Sequence, residues 1–132
     1  MRVYLDANVI IDVALSRNDA SLRIFSKIMD GDLKGSIGSL SYSICSYVIE
    51  RQKNKAYSRK FMIEMRDNLK LVPMNEKVLN KSIASEMNDF EDALQYECAL
   101  KSKAHFLITS NKKDFPSEDW IVSPDSFICS LS

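Results

Sequence analysis

A short apolar run that ends in a carboxylate opens the sequence. Residues 3–5 (Val-Tyr-Leu) are continuously apolar, a pattern typical of a strand that is buried on both faces. Asp6 follows at once, and Asn8 precedes an apolar stretch with helical spacing over residues 9–15. In open α/β sheets, ligands bind at the carboxyl ends of the strands. We therefore predict that Asp6 lies at the ligand-binding edge of a sheet.

Short strands and helices alternate along the rest of the chain. Further strands are predicted at Lys34–Gly38, 71–73, Phe106–Ile108 and Ile121–Val122. Helices are predicted at 9–15 with Asn8 as the cap, at 20–29, from a cap within residues 39–41 to 53, at 55–69, from Asn75, from Asn88 or Asp89 to 103, and at Pro124–Leu131. Such alternation indicates βαβ units. We predict one α/β domain over residues 1–132, a three-layer α/β/α sandwich around a central, mostly parallel sheet of about five strands.

The third predicted helix has an apolar stripe that we expect to face the core. Its members recur at helical spacing, as Leu40, Ile44, Tyr47 and Val48.

Composition and charge exclude several classes of protein. Lys and Arg number 18, as do Asp and Glu, so the net charge gives no case for binding nucleic acid. No stretch approaches the ~18 apolar residues of a membrane span, and the N-terminus lacks the basic region of a secretory signal. Three cysteines without a C-x-x-C pair argue against disulfides and a zinc site. We predict a cytoplasmic protein in which Cys45, Cys98 and Cys129 are buried.

Residues 51–60 form a basic run that contains no acid. Its candidate binding residues are Arg51, Lys53, Lys55, Tyr57, Arg59 and Lys60. Such a run is often a solvated helix face. The alternatives are contacts with RNA phosphates, which would make binding strongly dependent on salt, or contacts with a protein partner.

Acidic residues occur where several predicted elements begin or end. Asp6 ends the first strand, and Asp89 and Asp92 lie three residues apart at a helix start, on one face with Tyr96. Asn111 and Asp114 follow the strand Phe106–Ile108 in the same manner. If the first and fourth strands are neighbours, these side chains meet in one cleft.

Clustered carboxylates repel one another unless a cation neutralises them. Mg²⁺ and Mn²⁺ prefer such oxygen ligands, and they can activate water for attack at phosphorus. No histidine is required, and His105 at a strand start is best explained by a structural role. Each acid also has a structural explanation, because Asp6 and Asp89 could cap helices, Asp92 could favour a helix dipole and Asp114 could form a turn. Together they favour a metal site.

Three stretches of the sequence resemble the PIN domain, a small α/β nuclease family that includes the VapC-type toxins of toxin–antitoxin pairs. Residues 5–10 (Leu-Asp-Ala-Asn-Val-Ile) are similar to the family's opening L-D-T/A-N-V-L/I. Residues 89–95 (Asp-Phe-Glu-Asp-Ala-Leu-Gln) are similar to its D-x-x-D-A-L helix start, and residues 107–115 (Leu-Ile-Thr-Ser-Asn-Lys-Lys-Asp-Phe) to L-V/I-T-x-N-x-x-D-F. The three occur in the family's order.

The resemblance implies a Mg²⁺- or Mn²⁺-dependent endoribonuclease, the toxin of a type II toxin–antitoxin pair. Asp6, Asp92 and Asp114 would be the catalytic metal ligands, with Asn8 and Asn111 as polar neighbours. The implied partners are an RNA substrate (tRNA, rRNA or mRNA), a cognate antitoxin and a second copy of the chain, with no membrane.

One position departs from the family pattern. Many VapC-type sequences have a glutamate early in the third helix, where this chain has Ile44. Ser41 and Ser43 are the nearby candidates for holding a metal-associated water. The departure leaves a second hypothesis, a catalytically weak or inactive PIN-like module that binds RNA or protein. A third, an aspartyl-phosphate phosphatase, would require D-x-D where the chain has Asp6 and Asn8.

Overall fold

Five strands form one fully parallel sheet in the computed structural model. Residues 1–131 are described, so Ser132, the last residue of the predicted domain, lies outside the described residues. The strands are β1 (Arg2–Leu5), β2 (Lys34–Gly38), β3 (Leu69–Val72), β4 (Phe106–Ile108) and β5 (Ile121–Val122). Their order across the sheet is β3-β2-β1-β4-β5, and every neighbouring pair is parallel. The predicted number and direction of the strands are confirmed.

Helices cover both faces of this sheet. They are α1 (Ala7–Ala14), α2 (Asp19–Met29), α3 (Ser39–Gln52), α4 (Lys55–Asn68), α5 (Glu76–Ile83), α6 (Phe90–Ser102) and α7 (Pro124–Leu131). One core cluster joins the sheet to α1, α2, α3, α4 and α7, and a second joins it to α5 and α6. The predicted three-layer sandwich is therefore confirmed. No helix within residues 1–131 combines the length and the apolarity needed to cross a membrane.

The central strand β1 contributes to both core clusters. Val3 and Leu5 pack into the first, whereas Tyr4 packs into the second, and all three are fully buried. This explains the continuous apolar run, since a strand covered on both faces has no solvent side. Leu5 is in register with Ile108 of β4, so the first and fourth strands are neighbours as predicted.

Several local expectations were wrong. Strand β3 begins at Leu69, which the sequence pattern places in the preceding helix; Leu69 is buried and lies in register with Gly35 of β2. Of the predicted α3 stripe, Leu40, Ile44 and Val48 pack against the core clusters but are only partly buried, and Tyr47 is 63% exposed. The most buried positions of α3 are Ser41, Cys45 and Ile49.

Two further predictions also failed. Cys129 is exposed, although Cys45 and Cys98 are buried as expected. Helix α1 is capped by Asp6 rather than by Asn8, because it begins directly after β1 at Ala7.

Candidate active site

Asp6 is buried at the carboxyl end of β1, with 4% of its surface exposed. Its Oδ1 accepts a hydrogen bond from the backbone N–H of Ala7 (2.8 Å), which caps α1. Its Oδ2 accepts a hydrogen bond from Oγ1 of Thr109 (2.8 Å), the residue that follows β4. The chain leaves β1 towards β2 on one side, while β4 flanks the other, so Asp6 lies where the strand order reverses. That crevice is the usual ligand site of open α/β sheets.

Asp89, Asp92 and Asp114 line a cleft of about 630 Å³, whereas Asn111 and the buried Asp6 are not among its lining residues. Asp89 and Asp92 reach it from the start of α6, together with Tyr96, as their helical spacing predicts. Asp114 reaches it from a short 3-10 turn, Lys112–Asp114, between β4 and β5. Asp89 is also the N-cap of α6, because its Oδ1 accepts a hydrogen bond from the backbone N–H of Asp92 (3.0 Å).

The carboxylates are close enough to influence one another's ionisation. Burial, followed by the negative charges of Asp6, Asp89 and Asp114, raises the pKa of Asp92 from its ordinary 3.8 to about 7. Burial also raises the pKa of Asp6, against the opposing effect of the hydrogen bonds from Thr109 and Ala7. Acids from three separate segments therefore share one electrostatic environment, and a proton or a cation relieves their repulsion.

Polar groups behind the acids hold the ends of β1 and β4 together. The Oδ1 of Asn8 accepts a hydrogen bond from the backbone N–H of Ser110 (3.3 Å), and Oγ1 of Thr109 accepts one from the backbone N–H of Asn111 (3.1 Å). Thr109 thus joins Asp6 to the backbone of Asn111. Its contact with Asp6 was not predicted, although its position after a buried strand, opposite Asp6, was a signal that could have revealed it.

Helix α3 contributes no carboxylate to this cleft. Ser41 is fully buried, and its Oγ accepts a hydrogen bond from Nε2 of Gln95 (2.8 Å). The Oε1 of Gln95 in turn accepts a hydrogen bond from the hydroxyl of Tyr4 (2.5 Å). Ser43 is exposed and Ile44 packs against the first core cluster; neither residue lines the cleft. Neither Ser41 nor Ser43 therefore lines the cleft, and the hydroxyl of Ser41 is occupied by Gln95.

Two contributions to the cleft were not predicted from the sequence, the hydrogen bond between Tyr96 and Glu118 and the ammonium of Lys113. The hydroxyl of Tyr96 donates to the Glu118 carboxylate (2.8 and 3.0 Å), which also accepts a hydrogen bond from Nε1 of Trp120 (2.7 Å). Burial, followed by that carboxylate, raises the pKa of Tyr96 to about 12, so the phenol stays protonated. Lys113 lines the same cleft and places a cation beside Asp114.

The basic run lies outside the cleft lining. Arg51 donates to the hydroxyl of Tyr47 (2.9 Å), and the ammonium of Lys53 lies 5.8 Å from the ring centre of Tyr57. The hydroxyl of Tyr57 donates to the carbonyl of Ala14 (2.5 Å) and so ties α4 to α1. Lys55, Arg59 and Lys60 are exposed. A structural role therefore accounts for Tyr57, and the binding role of the run stays a prediction.

The donor chemistry of the cleft fits a hard divalent cation. Within the described residues 1–131, no group of three or more His, Cys, Asp or Glu side chains is arranged to hold a metal ion by itself. Mg²⁺ is commonly held by one or two carboxylates, with water completing its six ligands. Asp92 faces Asp6 and Asp114 closely enough for their charges to raise its pKa. A pair of these acids is therefore sufficient for such a site.

Comparisons with known proteins agree with this fold. A sequence model described as PIN domain matches residues 2–113. Among solved structures, the chain is similar to one in VapBC2 from Rickettsia felis bound to a promoter DNA fragment, at 15% identity and a TM-score of 0.72, over 93% of this chain and 97% of that chain. It is also similar to one in a toxin–antitoxin complex from Klebsiella pneumoniae, at 17% identity and a TM-score of 0.72, over 92% and 97% of the two chains. No curated protein matches the sequence.

Proposed function

This chain belongs to the PIN-domain family, and from that membership we propose that it is a divalent-metal-dependent endoribonuclease that cleaves RNA phosphodiester bonds. The observation that carries the proposal is the convergence of Asp6, Asp92 and Asp114 at the carboxyl edge of the sheet. Their shared negative potential, expressed in the raised pKa of Asp92, favours cation binding.

Each residue has a distinct role in the proposed reaction. When bound, Mg²⁺ or Mn²⁺ supplies an activated water and positive charge for the phosphate. A pair among Asp6, Asp92 and Asp114 would hold the ion together with water, and the hydroxyl of Thr109 fixes the orientation of Asp6 through Oδ2. Lys113 would offer a hydrogen bond to a phosphate oxygen of the RNA.

The likeness to toxin–antitoxin structures supports a biological context. We propose that the chain is the toxin of a type II pair, that a cognate antitoxin binds it and that it forms a homodimer. Its proposed substrate is a tRNA, an rRNA or an mRNA. Induction in a bacterial host should arrest growth, and Asp92→Asn should relieve the arrest. Growth arrest that persists undiminished in that variant would contradict the toxin proposal.

The absence of an acid from α3 favours a second candidate function, a PIN-like module with weak or no catalysis. Ile44 packs into the core where many relatives would place a glutamate, so one carboxylate fewer faces the cleft. Fewer carboxylates lower divalent affinity. Calorimetry discriminates between the two, because the module would bind RNA or protein without binding Mn²⁺ at millimolar concentration.

RNA cleavage in the presence of Mn²⁺ tests the enzymatic proposal. We expect Asp6→Asn and Asp92→Asn each to lower the rate by about 100-fold or more, since the ion contributes several kcal/mol to the transition state. Asp125→Asn is the matched control, because Asp125 lies in the first turn of α7, as Asp92 does in α6, but lines no part of the cleft. Cleavage that survives both cleft variants, or that is equally rapid in EDTA, would overturn the proposal.

A further inference from the structure

A second cavity, of about 670 Å³, lies beside β2 and β3. Arg2, Lys34 and Lys70 line it from β1, β2 and β3, and Lys101 lines it from the last turn of α6. Within residues 1–131, neither Asp nor Glu is among its lining residues, although Asp32 lies nearby in the sequence. In this part of the chain, four cations and no carboxylate therefore surround the cavity, although the formal net charge of the whole chain is zero.

The register of the strands places three of these cations on one face of the sheet. Arg2 is in register with Lys34, and Ser36 is in register with Lys70. Register partners point to the same face, as do residues two apart on one strand, such as Lys34 and Ser36. Arg2 and Lys34 thus project side by side, and Lys70 projects from the same face at a diagonal position, opposite Ser36. Like charges in that arrangement repel one another.

Two of the four cations are held in place by backbone carbonyls. Nε and Nη2 of Arg2 donate to the carbonyl of Lys103 (3.3 and 3.0 Å), and Nζ of Lys101 donates to the carbonyl of Pro73 (3.2 Å). These bonds fix the side chains without neutralising them. Cations that are already fixed lose less entropy when an anion binds.

A structural explanation covers only part of this arrangement. Lys101 favours the negative end of the α6 dipole, but Lys34 and Lys70 lie on strands and have no such role. The only salt bridge within residues 1–131 joins Arg66 and Asp67, so no carboxylate pairs with the four cations. An uncompensated group of like charges opposes folding and is relieved when an anion binds.

The remaining walls define the kind of anion. Val72, on the same face as Lys70, and Pro73 supply apolar surface, and Ser36 and Ser102 supply hydroxyls. A concave site of this volume, mostly apolar with a few convergent polar groups, is typical of small-molecule binding. We propose that this cavity binds a nucleoside phosphate, with the phosphates on the cations and the base against the apolar wall. The nucleotide would come from solution or from an RNA strand.

The proposed site is separate from the acidic cleft. Arg2 precedes Asp6 by four residues of extended chain, which corresponds to about 13 Å at ~3.3 Å per residue. Binding at the two sites can therefore be measured independently. In EDTA, binding at the basic cavity requires no metal and no catalysis.

Titration calorimetry with ADP and with adenosine, in EDTA at low salt, tests the proposal. We expect ADP to bind and adenosine to bind at least about tenfold more weakly, since charge-assisted hydrogen bonds to the phosphates are lost. The double variant Lys34→Gln/Lys70→Gln should weaken ADP binding by about tenfold or more. Lys77→Gln/Lys81→Gln, with the same charge change on exposed positions of α5, should stay within about twofold. Thermal melts verify that both variants fold.

A short single-stranded RNA, followed by fluorescence anisotropy in EDTA, identifies the source of the nucleotide. RNA binding without ADP binding, with the same dependence on Lys34 and Lys70, would support the proposal and identify a strand as the ligand. Three outcomes would overturn it: no binding of either probe, equal binding of adenosine and ADP, or equal behaviour of the two double variants. Lysine-dependent binding of an oligoglutamate peptide alone would indicate a protein partner instead, and would also overturn it.

Discussion

Replacing Asp92 by asparagine should stabilise the metal-free protein, and the gain should depend on pH. The pKa of Asp92 is about 7 in the folded chain, against an ordinary value of 3.8. The unfolded chain therefore loses this proton near pH 4, whereas the folded chain keeps it to near pH 7. Because the folded state binds more protons across that window, the stability of the wild type falls as pH rises through it. The asparagine side chain of the variant cannot titrate and avoids this loss.

The size of the effect follows from the pKa difference. At about 1.36 kcal/mol per pKa unit, a change from 3.8 to about 7 would correspond to roughly 4 kcal/mol in a site shielded from water. Asp92 is only half-buried, so solvent screening reduces this contribution. We compare the free energy of unfolding of Asp92→Asn with that of the wild type. We expect the advantage of the variant to be about 1–2 kcal/mol larger at pH 8 than at pH 4.

Urea unfolding in EDTA at pH values from 4 to 9 measures this difference. The advantage of the Asp92→Asn variant should grow from pH 4 to pH 7 and then level off. Asp125→Asn, which makes the same change at an exposed first-turn aspartate outside the cleft, is the matched control. Saturating Mg²⁺ should remove the advantage, because the cation stabilises the ionised wild type. A stability difference that is independent of pH, or that favours the wild type at pH 8, would refute the electrostatic reasoning.

Three further predictions concern the support of the site and the core. Thr109→Val removes the donor to Asp6 and should weaken Mn²⁺ binding by about 10–100-fold in calorimetry, while Thr109→Ser should retain most of it. A Cβ at Gly38 would lie 2.6 Å from the hydroxyl of Tyr4. Gly38→Ala should therefore lower the free energy of unfolding, measured in urea, by about 1–3 kcal/mol, and adding Tyr4→Phe should restore part of that stability. A thiol-specific reagent should modify Cys129 rapidly in the native protein and the two buried thiols only after unfolding.

The elements that position the site could be read from the sequence because their signals are local. The run from Val3 to Leu5 has no polar interruption, and Phe106–Ile108 has none either, so both were recognisable as strands covered on both faces. Asp6 and Thr109 follow those strands directly. Once the strands are neighbours, parallel register places the two residues side by side.

The errors occur where packing, rather than local pattern, determines the outcome. Leu69-Lys70-Leu71-Val72 lies at the edge of the sheet, where Lys70 and Leu71 stay exposed, and Lys70 separates Leu69 from the apolar residues that follow. The buried stripe of α3 consists of Ser41, Cys45 and Ile49. Hydrophobicity alone could not identify it, because Ser41 is buried through its hydrogen bond to Gln95, a residue 54 positions away.

Asp6 shows how a structural role and a binding role can coexist in one side chain. It caps α1 with Oδ1 and accepts the Thr109 hydroxyl with Oδ2, yet each carboxylate oxygen retains a further lone pair. Asparagine caps helices as well as aspartate does, and its amide could donate to Thr109. Folding therefore does not require a charge at this position, and burial disfavours that charge, as the raised pKa of Asp6 records. If Asp6→Asn melts at or above the wild-type temperature in EDTA but loses Mn²⁺ binding, the negative charge of Asp6 serves the cation; a large loss of stability in EDTA would assign it to the fold instead.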